Sequence, residues 1–83
     1  MTMKISVEIS MYPLDADYNE KVMNFINNLY SFKNIEVESN HMSTLLWGEY
    51  DDVMNCLNSS MKDSFEELQS SMVLKISNGC KVG

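Results

Sequence analysis

Residues 4–13, KISVEISMYP, decide the fold, because apolar and polar side chains alternate without a break from Lys4 to Tyr12, ahead of Pro13. A period of two places one set on each face of a β-strand, so this strand has one buried face and one polar face. Proline has no amide hydrogen, so we expect strand pairing to stop at Pro13. The apolar set is Ile5, Val7, Ile9 and Met11, and the polar set is Lys4, Ser6, Glu8, Ser10 and Tyr12.

Two stretches with helical spacing follow this strand. In the first, Asp17 is the predicted N-cap, and Glu20 lies three residues later, as in a capping box. The second is predicted to start at a cap supplied by Asp51 or Asp52 and to end at the Ser70-Ser71 pair. The apolar stripes are Tyr18, Val22, Phe25, Ile26 and Leu29 in the first helix, and Met54, Leu57, Met61, Phe65 and Leu68 in the second.

The remaining segments alternate like strands. Residues 35–39 and 42–49 predict a hairpin with a turn at Asn40-His41, and residues 72–77 predict a last strand. The element order is therefore β-α-β-β-α-β, and each crossover should be right-handed. We predict a single domain over residues 1–83 with the α+β ferredoxin-like fold, a four-stranded antiparallel sheet in spatial order 4-1-3-2 with both helices on one face.

The composition argues against several classes of function. The formal charge is −6, from twelve acidic residues and six lysines without arginine, and such a chain repels the phosphates of nucleic acid. No apolar run is long enough for a membrane span and the N-terminus does not resemble a signal peptide, so we expect a cytoplasmic protein. Cys56 and Cys80 are too few for a metal knuckle, so we expect no metal, no cofactor and a buried thiol at Cys56.

The face of the sheet that carries no helix should determine what the protein binds. On the third strand the sequence leaves two outward sets open, which are Leu45, Trp47 and Glu49, or Thr44, Leu46 and Gly48. An exposed Trp47 would mark an interface, so we expect a homodimer or homotetramer formed through this face or a sheet edge.

For Gly48 we favour a structural role. Tyr12 is either a preorganised ligand-binding hydroxyl or a structural residue under the helix entrance. His41 is predicted to be a solvated turn residue, so we do not expect an enzyme.

Two stretches together carry a family resemblance: Ile9-Ser10-Met11-Tyr12-Pro13-Leu14 followed by Tyr18, and Met42-Ser43-Thr44-Leu45-Leu46-Trp47-Gly48 with Val53 and Met54 after it. Through them the chain resembles the YkoF-type thiamine/hydroxymethylpyrimidine-binding family. The wider family of small thiamine-binding proteins is similar through Thr44, Gly48 and Glu49. The resemblance implies a ferredoxin-like protein that binds thiamine or its pyrimidine precursor without catalysis, in vitamin uptake, salvage or homeostasis. YkoF-type proteins carry two such domains in tandem, an arrangement that a homodimer of this chain would rebuild.

An aminopyrimidine needs a carboxylate or carbonyl for its amino group, hydroxyls for its ring nitrogens and a flat wall. The thiazolium cation of thiamine suits an aromatic face such as that of Trp47. The predicted ligand-binding residues are Glu8, Ser10, Tyr12, Ser43, Thr44, Trp47 and Glu49. The alternative is an assembly module that pairs with itself or with a partner protein and binds no small ligand. A third hypothesis is an enzyme of unknown chemistry that uses Glu8.

Overall fold

The computed structural model describes residues 3–14, 19–40 and 43–79. Its elements are β1 (Lys4–Pro13), α1 (Asn19–Tyr30), β2 (Ile35–Ser39), β3 (Thr44–Glu49), α2 (Tyr50–Glu67) and β4 (Ser70–Ser77). The strands form one antiparallel sheet in the order β2-β3-β1-β4, and residues of both helices join its core on one face. The predicted ferredoxin-like fold and its strand order are therefore confirmed.

β1 is longer than predicted, because it continues through Pro13, which lies opposite Ser70 on β4. β3 pairs with β1 only as far as Ile9 opposite Thr44, so Pro13 meets a partner strand on one side alone. Because no strand pairs with β1 on the β3 side at this point, no backbone N–H is needed on that side, and proline is tolerated. β4 begins at Ser70, two residues before the predicted start at residue 72, so the Ser70-Ser71 pair that was predicted to end the second helix belongs to this strand.

The start of α2 also differs from the prediction. The helix begins at Tyr50, so Asp51 and Asp52 lie in its first turn, where carboxylates interact favourably with the helix dipole. Glu49 occupies the N-cap position without a side-chain capping bond, and the backbone amide of Tyr50 donates to the carbonyl of Met3 at 2.7 Å. The predicted cap at Asp17 and the predicted features at Tyr18, His41, Met42 and Cys80 lie outside the described residues.

The core lies between the sheet and the two helices. It contains the predicted apolar face of β1 and, from the predicted α1 stripe, Phe25, Ile26 and Leu29. Of the predicted α2 stripe, Met54, Leu57 and Met61 lie in the core and Leu68 is buried. Phe65 is 50% exposed, so its placement in the core was wrong. The side of α2 that is buried instead includes two small polar residues, Ser60 and Ser64, because this side packs against α1. The buried apolar residues of the core cluster are Ile5, Val7, Ile9, Phe25, Leu29, Leu46, Val53, Cys56 and Leu57.

Cys56 is a buried free thiol, as predicted. Its Sγ lies 4.0 Å from the carbonyl oxygen of Leu29, which gives α1 and α2 a weak polar contact inside the core. Burial raises the pKa of the Cys56 thiol, and the neighbouring Ser60 hydroxyl, which can donate to a thiolate, partly opposes that rise.

Gly48 is where the hairpin strand β3 comes closest to the loop before β2. A Cβ atom at this position would lie 2.9 Å from the backbone oxygen of Asn34 and 3.3 Å from Cγ2 of Ile35. Asn34 itself has a φ of 68°, a left-handed conformation that asparagine adopts more easily than most residues. The glycine therefore permits a close backbone approach, which supports the structural interpretation of this residue.

Candidate functional site

The register of the sheet selects one of the two outward sets on β3. Trp47 lies opposite Ser6 and Leu45 lies opposite Glu8, so both share the open face with the polar side of β1. Thr44 and Leu46 are buried on the face that carries the helices. Leu45, Trp47 and Glu49 are consequently the outward set.

A cavity of about 220 Å³ lies on this open face, and we call it the open-face cavity. β4 forms its other side, since Lys75 lies opposite Glu8 and Ser77 lies opposite Ser6. It therefore combines a carboxylate, an ammonium group and two hydroxyls with an indole and a leucine. The cavity is lined by Ser6, Val7, Glu8, Leu45, Trp47, Lys75 and Ser77.

The Trp47 ring is held in place by β2. Glu36 lies opposite Trp47 in the hairpin, and the indole Nε1–H donates a hydrogen bond to Oε2 of the Glu36 carboxylate. A hydrogen bond to a charged acceptor is stronger than one between neutral groups, so it restricts the rotation of the ring. The indole is thus a fixed wall beside Glu8 and Ser6 rather than a freely rotating surface side chain.

The predicted site residues are not all brought together. Glu8 and Trp47 line the same cavity, and Ser10 follows Glu8 on the same face. Glu49 lies opposite Lys4 at one end of the sheet and forms an ion pair with it, with 3.4 Å between Nζ and Oε1. Tyr12 lies eight residues further along β1 than Lys4, which is about 26 Å in a strand. One small ligand therefore cannot contact both Tyr12 and Glu49.

Ser43 and Thr44 belong to a different part of the molecule. The Thr44 side chain is 6% exposed on the helix side of the sheet, and its hydroxyl is 3.1 Å from that of Ser39. The backbone amide of Ser43 donates to Oδ1 of Asn40 at 3.0 Å. Both residues line a cavity of about 90 Å³ between the sheet and α1, together with Ile9, Met11, Val22, Phe25, Ile26 and Asn40. The sheet itself separates this smaller cavity from the open-face cavity.

Five side chains in or beside the open-face cavity were missing from the predicted site. Ser6, Leu45 and Ser77 were assigned to strands, but not to the site, and neither Glu36 nor Lys75 was considered as part of it. The signal that would have found them is the strand register, because it determines which residues lie opposite Glu8 and Trp47. Within residues 3–14, 19–40 and 43–79, no cluster of three or more histidine, cysteine or acidic side chains could hold a metal ion. In the same part of the chain, neither helix has the length and apolar character to cross a membrane.

Comparison with known families gives a match over residues 4–81 to the YKOF-related family. Because the match covers nearly all of the chain, this protein is a member of that family. The resemblance noted from the sequence is thereby confirmed. No curated protein matches the chain.

Solved structures share its fold at low sequence identity. A hypothetical protein from Methanocaldococcus jannascii, MJ1052, has a TM-score of 0.78 and 23% identity, over 98% of this chain and 86% of that chain. A Thermotoga maritima protein, TM0486, described as a "putative thiamine biosynthesis/salvage protein", has a TM-score of 0.75 and 20% identity, over 88% and 81% of the two chains. A domain of unknown function, DUF77, from Bacillus cereus has a TM-score of 0.70 and 16% identity, over 93% and 77%.

Proposed function

We propose that this protein binds thiamine or its hydroxymethylpyrimidine precursor in the open-face cavity, without catalysing a reaction. The observation that carries the proposal is the Trp47 ring, fixed by Glu36 beside the Glu8 carboxylate in a cavity on the face without helices. Membership of the YKOF-related family and the thiamine-related description of the Thermotoga protein support the choice of ligand. The corresponding role is in uptake, salvage or homeostasis of the vitamin, and the cytoplasmic location stays a prediction.

The chemistry of the cavity suits both halves of thiamine. The exocyclic amino group of the pyrimidine would donate to Glu8, and its ring nitrogens would accept from the hydroxyls of Ser6 or Ser77. The thiazolium cation would stack on the indole of Trp47, an interaction that gains strength when water is excluded. These contacts orient and hold the ligand, and the proposal includes no chemical step.

The size of the cavity indicates that one chain encloses the ligand only in part. Its volume of about 220 Å³ lies below the range of about 300–1,000 Å³ that is usual for pockets enclosing a drug-sized molecule. A second copy laid over the open face would add the missing wall. We therefore propose that a homodimer or homotetramer is the binding form.

Isothermal titration calorimetry with thiamine, its phosphates and hydroxymethylpyrimidine tests this proposal. Glu8→Gln should weaken binding at least about tenfold, since a hydrogen bond to a charged group contributes about 1.5–3 kcal/mol and about 1.4 kcal/mol is tenfold. Trp47→Leu should weaken thiamine binding by about threefold to thirtyfold, because a cation–π contact contributes about 0.5–2 kcal/mol. Tyr12→Phe and Glu49→Gln are the controls, because both residues lie away from the cavity, and their affinities should stay within about twofold of wild type. Absence of heat with every ligand would contradict the proposal.

The same titration decides between the two cavities. Thr44→Val keeps the volume of the side chain but removes the hydroxyl on the helix side of the sheet. If this variant loses affinity while Glu8→Gln keeps it, the ligand lies in the smaller cavity and the open-face assignment is wrong. The comparison also tests the predicted participation of Ser43 and Thr44, which line the smaller cavity.

A second candidate function is assembly alone, through the same face. It is favoured by the apolar side chains there, since Val73 is 58% exposed and Tyr12 56%, next to the partly exposed Leu45 and Trp47. Val73 lies opposite Ser10 and so points to the open side of the sheet. Sedimentation equilibrium should show Val73→Asp dissociating an assembled wild-type protein. An oligomer that forms while no vitamin binds would favour this second function over the first.

A further inference from the structure

A cleft lies between α1 and α2, on the opposite side of the sheet from the open-face cavity. It has a volume of about 250 Å³, and we call it the interhelical cleft. Its α2 side follows helical spacing, with Ser60, Asp63, Ser64 and Glu67 three or four residues apart. The residues that line it are Lys21, Asn24, Phe25, Asn28, Ser60, Asp63, Ser64, Glu66 and Glu67.

Two hydroxyls that line the cleft are buried without a strong hydrogen-bond partner among the described residues. Ser60 is 0% exposed and Ser64 is 6% exposed, and the Oγ atom of neither makes a hydrogen bond of ordinary geometry there. The hydroxyl of Ser60 interacts with the thiol of Cys56, which is only a weak hydrogen-bonding group. Buried polar atoms in folded proteins are normally satisfied, so two hydroxyls with spare hydrogen-bonding capacity in one cleft favour a polar ligand.

The other groups of the cleft are mostly acceptors. The amide of Asn24 donates to Oε2 of Glu67 at 3.4 Å, and the amide of Asn28 donates to Oδ2 of Asp63 at 3.3 Å. These bonds use amide donors of α1 to hold the carboxylates of α2, and they leave amide and carboxylate oxygens as acceptors. Three carboxylates and one ammonium group, that of Lys21, give the lining a formal charge of 1 − 3 = −2.

We propose that the interhelical cleft binds an aliphatic diamine through its ammonium groups. An ammonium group offers three donors, which match the hydroxyls of Ser60 and Ser64 and a carboxylate such as that of Asp63. A diammonium ion also balances the charge of −2. A metal ion is not the occupant we infer, since these carboxylates do not form a metal-binding cluster among the described residues. This site is separate from the proposed vitamin site and does not depend on it.

Titration of ¹⁵N-labelled protein with 1,4-diaminobutane tests the proposal, with neutral 1,4-butanediol as the matched probe. Amide shifts should change along α1 and α2 with the diamine and not with the diol. Asp63→Asn and the double substitution Ser60→Ala with Ser64→Ala should each weaken binding about tenfold, as expected for the loss of hydrogen bonds to a charged group. The serine double variant should still fold, because it removes only hydroxyls that lack a strong hydrogen-bond partner.

Glu38→Gln is the control for general charge attraction, because Glu38 is an exposed residue of β2 opposite Leu45, on the open face. It removes one negative charge, as Asp63→Asn does, and should change the affinity less than twofold. An equal loss in the two variants, an equal response to the diol, or no shift at all would overturn the proposal. If no amide shift changes, the interhelical cleft is a solvent-filled groove between α1 and α2 and not a binding site.

Discussion

Replacing Gly48 by alanine perturbs the hairpin at a single backbone contact. The new Cβ would lie 2.9 Å from the Asn34 backbone oxygen, whereas ordinary contacts of a Cβ begin at about 3.4 Å. The neighbouring atom belongs to the backbone, so it cannot rotate away as a long side chain would. β3 and the start of β2 must therefore separate by about half an ångström.

The cost of this separation follows from two opposing effects. Overpacking in a tight site costs about 1–3 kcal/mol, while replacing glycine by alanine recovers about 0.4–1 kcal/mol by restricting the unfolded chain. We expect a net loss of about 1–2 kcal/mol in the free energy of unfolding. For a domain of this size, this lowers the melting temperature by roughly 5–15 °C. The displaced pair, Gly48 and Ile35, is adjacent to the pair of Trp47 and Glu36, so the indole hydrogen bond should weaken as well.

Thermal and urea denaturation followed by far-ultraviolet circular dichroism measure this loss. Gly79→Ala is the matched control, because a Cβ there meets only the Ser77 hydroxyl, at 3.3 Å, and that side chain can rotate. The control should stay within about 0.5 kcal/mol of wild type. A Gly48→Ala protein as stable as wild type would refute the argument, and so would equal losses in the two variants.

Three further comparisons probe the core and the loop. Phe25→Ala should cost about 3–5 kcal/mol in urea denaturation because the ring is buried, whereas Phe65→Ala should cost less than about 1 kcal/mol, and the reverse order would contradict the observed phase of α2. Asn34→Ala should lose about 1–2 kcal/mol through its left-handed backbone while Asn34→Gly stays near wild type, and similar losses would exclude strain as the cause. Burial raises the pKa of the Cys56 thiol, so its contribution to stability is complete below the unfolded pKa of about 8.5 and is lost as pH rises through the folded pKa. The stability difference between wild type and Cys56→Ala should therefore shrink from pH 7.5 to pH 10, and a constant difference would contradict this.

The alternation in residues 4–12 and 35–39 was sufficient to predict these strands, because a half-buried strand repeats its pattern every two residues, and the order of strands and helices then gave the fold. The phase of α2 was not predictable in the same way. Hydrophobicity favoured Phe65 as a core residue, but the contact with α1 buries Ser60 and Ser64. Whether a small polar side chain is buried depends on how closely two helices approach, and this distance is a tertiary property.

The hairpin shows why the site was predicted only in part. A two-residue turn at Asn40-His41 implies that Ser39 lies opposite residue 42, whereas Ser39 lies opposite Thr44. A shift of two residues keeps every side chain on its own face but changes each partner across the strands. The sequence could therefore identify the chemical groups of the open face, such as Glu8 and Trp47, without identifying Glu36 as the residue that fixes the indole.

The chain contains a single tryptophan, and the fold places it on the open face rather than in the core. Its intrinsic fluorescence is therefore a built-in optical reporter of water at the Glu36 hydrogen bond. The emission should move to shorter wavelength when a vitamin or a second subunit covers the indole. A diamine bound in the interhelical cleft should leave the emission spectrum unchanged, since the sheet lies between this cleft and Trp47.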